Sequence, residues 1–301
     1  MYDQAEKLRG IIKKLKKSQV YNSSENVIVK EKRAKVITVT SGKGGVGKTN
    51  ITVNLAIALR ELGNRVIIID ADFGLANVDV LFGMIPRYSL ADVIYNNKNI
   101  LEVMSEDPSS KVKFISGGSG VEELAKIDKL QLDKFVKNIS MLDKLTDIIL
   151  VDTGAGISDK VLSFVMASDE VVLITTPEPT SMTDAYALIK MISRRDTKKK
   201  IEVVVNMAES HEEANEIIRK LNKVSNKFLS LDLDFLGYIL KDEIVIKAVK
   251  LQKPFSLSYP RSNAAKRIRE ISKKLGKVED EKITGNGMKT FVNRIVDFLT
   301  A

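Results

Sequence analysis

VITVTSGKGGVGKTNITVNLAIALREL (residues 36–62) joins a β-branched run to a helical pattern through GKGGVGKT (42–49), eight residues that include four glycines. Residues 36–41 read as a strand and 49–62 as a helix. The loop between them fits the phosphate-loop pattern of Gly, four residues, Gly, Lys, Thr. Such glycines let backbone N–H groups turn inward around phosphate oxygens, and the helix start adds a positive dipole. Gly42, Lys43, Gly44, Gly45, Val46, Gly47, Lys48, Thr49 and Asn50 are therefore the expected nucleotide-binding residues. Lys48 is expected to reach the β- and γ-phosphates and Thr49 to ligate Mg²⁺. A loop that only held phosphate would need one lysine. Lys43 is a second.

Outward from the loop, short apolar runs alternate with helical patterns. The expected strands are 36–41, 65–70, 111–116, 147–152, 170–175, 201–206 and 234–239. Their apolar runs are nearly continuous, as in parallel strands covered on both sides. The fold expected is α/β: a mostly parallel twisted sheet with helices on both faces, plus helical N- and C-terminal extensions. Two acidic motifs close strands, DADFGLANVD (70–79) and VDTGAGIS (151–158). Asp70, Asp72 and Asp152 then fall near the C-terminal sheet edge, where ligands bind in such folds. Gly154 and Gly156 suit a mobile loop that answers to a γ-phosphate.

Composition narrows the chemistry. The 301-residue chain is 44% hydrophobic, enough for a substantial core. It has no cysteine, which excludes disulfides, thiolate nucleophiles and cysteine-held clusters. Its single histidine, His211, cannot make a histidine metal site alone and reads as a solvent-facing helix residue. No 18-residue apolar run and no signal-peptide core appear, so a cytoplasmic protein is expected. The net charge is +9. Residues 1–35 carry +6 and 261–301 carry +5, which leaves the middle at −2. Basic ends on a near-neutral body suit an acidic surface.

The organisation expected is a helix in 1–20, a linker in 21–33, a nucleotide domain in 34–275, a polar linker in 276–287 and a helix in 288–301. In the last segment Met288, Phe291, Val292, Ile295, Phe298 and Leu299 share one face, with Lys289 and Arg294 on the other. That pattern fits an interfacial membrane helix. It also fits a helix packed on its own body, and a docked, autoinhibited form accommodates both.

The loop with its second lysine resembles the deviant phosphate-loop ATPases, the group that includes MinD, ParA and the iron protein of nitrogenase. Absent cysteines exclude the nitrogenase-type branch. The resemblance implies ATP and ADP as ligands, Mg²⁺, and an ATP-sandwich homodimer in which Lys43 crosses to the partner's phosphates. It implies that Lys43, Lys48 and Asp72 are catalytic, with Asp72 positioning the attacking water. Thr49, Asp70 and Asp152 would serve the metal, and Asn206 would bond adenine. The family often has proline after the following strand, where this chain has Leu240. The segment DQAEKLR (3–9), VDTGAGIS and TTPEPTSMTDAYALIK resemble the FlhG (YlxH) branch. There the N-terminal helix stimulates an FlhF-like GTPase, which assigns Asp3, Gln4, Leu8 and Arg9 to that partner. Flagellar switch (C-ring) proteins and the inner face of the cell membrane, held reversibly, are the other implied partners. The alternative is a ParA-type factor for DNA or cargo segregation; the near-neutral body and amphipathic tail argue against nucleic acid.

Overall fold

Eight strands form one sheet in the order β3-β4-β2-β5-β1-β6-β7-β8. They are β1 (Lys35–Thr40), β2 (Val66–Ala71), β3 (Ser105–Glu106), β4 (Lys113–Ser116), β5 (Ile148–Thr153), β6 (Glu170–Thr175), β7 (Ile201–Ala208) and β8 (Asp234–Leu240). All pairings are parallel except that of the two-residue β3 with β4. The computed structural model describes residues 33–72, 77–117, 127–276 and 285–300. The described helices of nine residues or more are α1 (Lys48–Glu61), α2 (Lys129–Ile139), α3 (Asp159–Ala167), α4 (Pro179–Ser193), α5 (His211–Leu229), α6 (Asn263–Leu275) and α7 (Gly287–Thr300).

The central strands are buried throughout, and their side chains alternate between two cores. Ile37, Val39, Ile68, Ile148 and Leu150 face α1 and α6. Val36, Ile67, Ile69, Ile149 and Val151 face α2, α3 and α7. Period-two alternation turns one continuous apolar run into two packed faces, so the sheet needs helices on both sides. The expected strands all appear, displaced by at most two residues at either end. The two-residue β3 was not expected; a strand so short carries no periodicity to read.

Of the two seats that the sequence left open for the C-terminal helix, the structure shows the one on the chain's own body. Met288, Phe291, Val292 and Ile295 are 0–3% exposed. They pack with Phe135 of α2, Phe164 of α3 and the β1 and β5 side chains, while Val296 and Leu299 lie partly buried against that cluster. Phe298 packs on the neighbouring cluster, under the Arg195 guanidinium at 5.2 Å. Asp143 accepts from the backbone N–H of Met288 at 3.0 Å and of Ala34 at 3.2 Å. Asp169 accepts from Val36 N at 2.8 Å and from the Asn286 side chain at 2.5 Å. Two carboxylates thus clip the start of α7 to the start of β1. Burial of four large apolar side chains amounts to about 6–12 kcal/mol. In this conformation the apolar face of α7 is part of the core.

Candidate functional site

The phosphate loop leaves β1, crosses the C-terminal sheet edge and enters α1. Gly47 has φ +90°, a left-handed conformation that glycine tolerates best. Gly42 lies directly against the backbone of Asp184 and Ala185 in α4, where any Cβ would collide. Lys48 is buried at the first position of α1. The structure therefore brings Gly42 to Asn50 into one loop-and-helix start, as the spacing implied.

Three carboxylates gather beside it. Asp152, next to last in β5, lies directly across from Asp70 of β2. Its Oδ1 accepts from Thr52 at 3.1 Å, while its buried Oδ2 has no hydrogen-bond partner. Burial, and next the Asp70 carboxylate, push Asp152 up to about 7. Burial also raises Asp70, to about 6, against the pull of three backbone N–H donors. Those donors are Asp72 at 3.1 Å, Asn77 at 2.9 Å and Val78 at 3.1 Å. Asp70 thus first of all ties Asp72, Asn77 and Val78 to the end of β2. Asp72 faces Gly154, where a Cβ would stand 3.6 Å from its Oδ1. Gly156 N donates to Ser41 O at 2.9 Å, tying the VDTGAGIS loop to the entrance of the phosphate loop.

This arrangement fits a hard divalent cation. It offers an orphaned carboxylate oxygen and the Thr49 hydroxyl, and it carries unbalanced negative charge that a cation would relieve. No cluster of three or more His, Cys, Asp or Glu side chains suited to a metal occurs among the described residues. A cation here would take its remaining ligands from phosphate and water, the usual habit of Mg²⁺ at nucleotide sites.

Two long-range contacts were invisible in the spacing. Lys43 is bound within its own chain, to Glu178 Oε2 at 2.6 Å and Thr180 Oγ1 at 2.8 Å, at the start of α4. Asn206, at the end of β7, donates its Nδ2 to Val46 O at 2.8 Å. It is a clamp on the phosphate loop, and a Cβ on Gly47 would come within 2.5 Å of that nitrogen. Glu178 lies 135 residues from Lys43, and Asn206 lies 160 from Val46, so no local pattern reports either pair. Asp3, Gln4, Leu8 and Arg9 lie outside the described residues. Met288, Phe291, Val292, Ile295, Phe298 and Leu299 stand apart from the nucleotide loop, in α7.

Similarity to known proteins agrees with this geometry. A ParA family model, described as NUBPL iron-transfer P-loop NTPase, matches residues 32–276. Antiactivator FleN of Pseudomonas aeruginosa is 41% identical over 261 residues, which are 87% of this chain and 93% of that protein. Flagellum site-determining protein YlxH of Helicobacter pylori is 37% identical over 271 residues, 88% of this chain and 90% of that one. Among solved structures, the MinC:MinD cell division complex of Aquifex aeolicus matches with TM-score 0.64 at 26% identity, covering 84% of this chain and 100% of that chain. MinD of Pyrococcus horikoshii with Mg-ADP has the same fold, with TM-score 0.64 at 22% identity, over 81% of this chain and 96% of that chain. Loop, carboxylates, sheet order and these relatives together make the chain a member of the MinD/ParA family of P-loop ATPases.

Proposed function

We propose that this ATPase is a nucleotide-timed switch that regulates flagellar number or placement. Its likeness to FleN and YlxH over most of both chains supports that reading. The observation that carries the switch is the second lysine. In the single chain Lys43 rests on Glu178, with its side chain 38% exposed at the mouth of the loop. Binding of ATP and Mg²⁺ at 42–49 pairs two chains face to face, and each Lys43 leaves Glu178 for the other chain's phosphates. A cation supplied in trans to developing phosphate charge is worth ~10³–10⁵ in rate. Thr49 and Asp152 would hold the metal, Asp70 holds the backbone of Asp72, and Asp72 would direct water onto the γ-phosphate. The Nδ2 of Asn206 is committed to Val46 O, so its carbonyl oxygen is left to accept from adenine's amino group. Guanine offers a carbonyl there, which would meet no donor.

The C-terminal helix is the output. The VDTGAGIS loop runs into α3, and α3 is the principal surface on which α7 packs. A rearrangement of that loop around a triphosphate would loosen the seat of α7. The apolar face costs about 6–12 kcal/mol to expose to water, so release proceeds only into another apolar medium. Insertion at the inner face of the cell membrane supplies one, and two helices per dimer add avidity of ~10²–10⁴. Separately, the segment around Gln4, with Asp3, Leu8 and Arg9, stimulates an FlhF-like GTPase. Flagellar switch proteins are the further partners.

Light scattering after size exclusion tests the core of this scheme. Asp72→Ala should form a dimer with ATP and a monomer with ADP. Adding Lys43→Ala should remove the ATP dimer; a dimer that survives would refute the trans role.

A further inference from the structure

Opposite the face that holds α7, two short segments meet at the nucleotide end of the sheet. The helix Val78–Phe82 sends Leu81 and Phe82 into the core beneath α1 and α6, and the helix Glu243–Lys250 sends Ala248 into the same core. Gly83, which ends the first helix, lies against the residues that follow the second. A Cβ on it would stand 3.1 Å from Gln252 O. The outward side chains of the two segments therefore share one surface.

That surface is both apolar and basic. Ile85 is 97% exposed, Ile246 58% and Leu251 56%. Ile246, Val249 and Lys250 stand at i, i+3 and i+4, on the side of their helix turned away from Ala248, so the helix points apolar groups outward. A singly exposed apolar residue is ordinary, but several on one surface mark an interaction site. Lys250 and Lys253 rise among them and pair with no carboxylate among the described residues. The charge continues around them: residues 244–275 hold nine lysines and arginines against one acid, Glu270.

Charge and shape together select the occupant. A second copy would bring the same lysines, and the chain's own residues 1–35 carry +6, so both would be repelled. An acidic protein would balance the lysines but would need a pocket for Ile85, which stands almost wholly clear of its own chain. An anionic bilayer meets both features, with headgroups for the lysines and acyl chains for the projecting apolar groups.

We infer that this surface is a contact for anionic lipid, separate from α7. Lys250 and Lys253 meet headgroup phosphates, while Ile85 and Leu251 enter the acyl boundary. The contact goes beyond the proposed release of α7, because it lies on the other face of the sheet and operates while α7 stays seated.

The chain has no tryptophan, so a single one reports its own position. The full chain carrying Ile85→Trp, or Phe298→Trp for α7, is mixed in ADP with vesicles of phosphatidylcholine holding about 30% phosphatidylglycerol, and quenching by brominated acyl chains is read. Ile85→Trp should be quenched there and should stay bright with phosphatidylcholine alone. Adding Lys250→Gln and Lys253→Gln should lower partitioning about ten- to thirtyfold, at roughly fivefold for each lysine near an anionic surface. An Ile85→Trp that stays bright with the anionic vesicles overturns the inference; quenching of Phe298→Trp alone would leave α7 as the membrane contact. Quenching of Ile85→Trp while Phe298→Trp stays bright in both ADP and ATP sustains the inference and refutes the release of α7. Weaker binding of duplex DNA by the double lysine variant, with vesicle partitioning unchanged, would give the lysines to nucleic acid and overturn the inference as well.

Discussion

The nucleotide edge and the C-terminal helix solve opposite problems. At the edge, charged groups are buried without full compensation: Asp152 has an oxygen with no partner, and Asp70 is raised by the same burial. At α7, four apolar side chains are almost wholly enclosed and the polar start of the helix is clipped by Asp143 and Asp169. The first region is unfinished until nucleotide and cation arrive. The second is finished already, and only a competing apolar medium would reopen it. A switch needs both kinds, one that gains by binding and one that holds a surface until that gain is spent.

The largest expected effect lies at the unfinished region. On the proposed trans role, Lys43→Ala should lower ATP turnover by ~10³-fold or more, the range of fingers supplied in trans, while ADP affinity stays close to wild type. Turnover within tenfold of wild type would make Lys43 an ordinary phosphate contact.

The finished region gives the next effect. Phe291→Ala should cost about 3–5 kcal/mol of stability, because the ring is enclosed between α2, α3 and the sheet. That corresponds to a fall in Tm of roughly 10 °C for a domain of this size. Unchanged melting would mean that α7 does not hold this seat in solution and would dissolve the contrast.

A smaller effect links the regions. At the end of α3, Lys199 donates to Ser168 O and Met166 O, and Arg294 of α7 donates to Ala167 O. Burial, mainly, lowers Lys199 to about 8; Asp169 and Asp196 oppose that shift and Arg294 adds to it. Between that value and the ordinary lysine value of about 10.4, the unfolded chain holds a proton that the folded chain has released. Stability therefore rises with pH through this window. Thermal melts of wild type against Lys199→Met should show that rise only in wild type. Arg294→Gln should move the Lys199 titration upward, measurable at its Cε by NMR. An unmoved titration would separate α7 from the end of α3.

The smallest effect concerns the latch. Lys43 and Glu178 are a surface pair, worth about 0.2–1 kcal/mol. Glu178→Gln should therefore lower the concentration at which the proposed ATP dimer forms by only about 1.4- to fivefold per pair, read by light scattering. A higher midpoint would show that Glu178 serves the dimer instead.

Sequence alone determined the phosphate loop, the parallel sheet and the carboxylates at its edge. Each is a local demand: glycines where the backbone must turn, a lysine and threonine at fixed offsets, and β-branched runs that end in aspartate. Tertiary structure decided what those elements face. An amphipathic helix states that Met288, Phe291, Val292 and Ile295 must leave water, but lipid and protein core satisfy that demand equally well. Only the clasp by Asp143 and Asp169, more than a hundred residues away, selects the core. The same distance hid Glu178 from Lys43 and Asn206 from Val46. It hid equally the meeting of Gly83 with Gln252, which makes one surface of Ile85 and Leu251 and which neither segment encodes by itself.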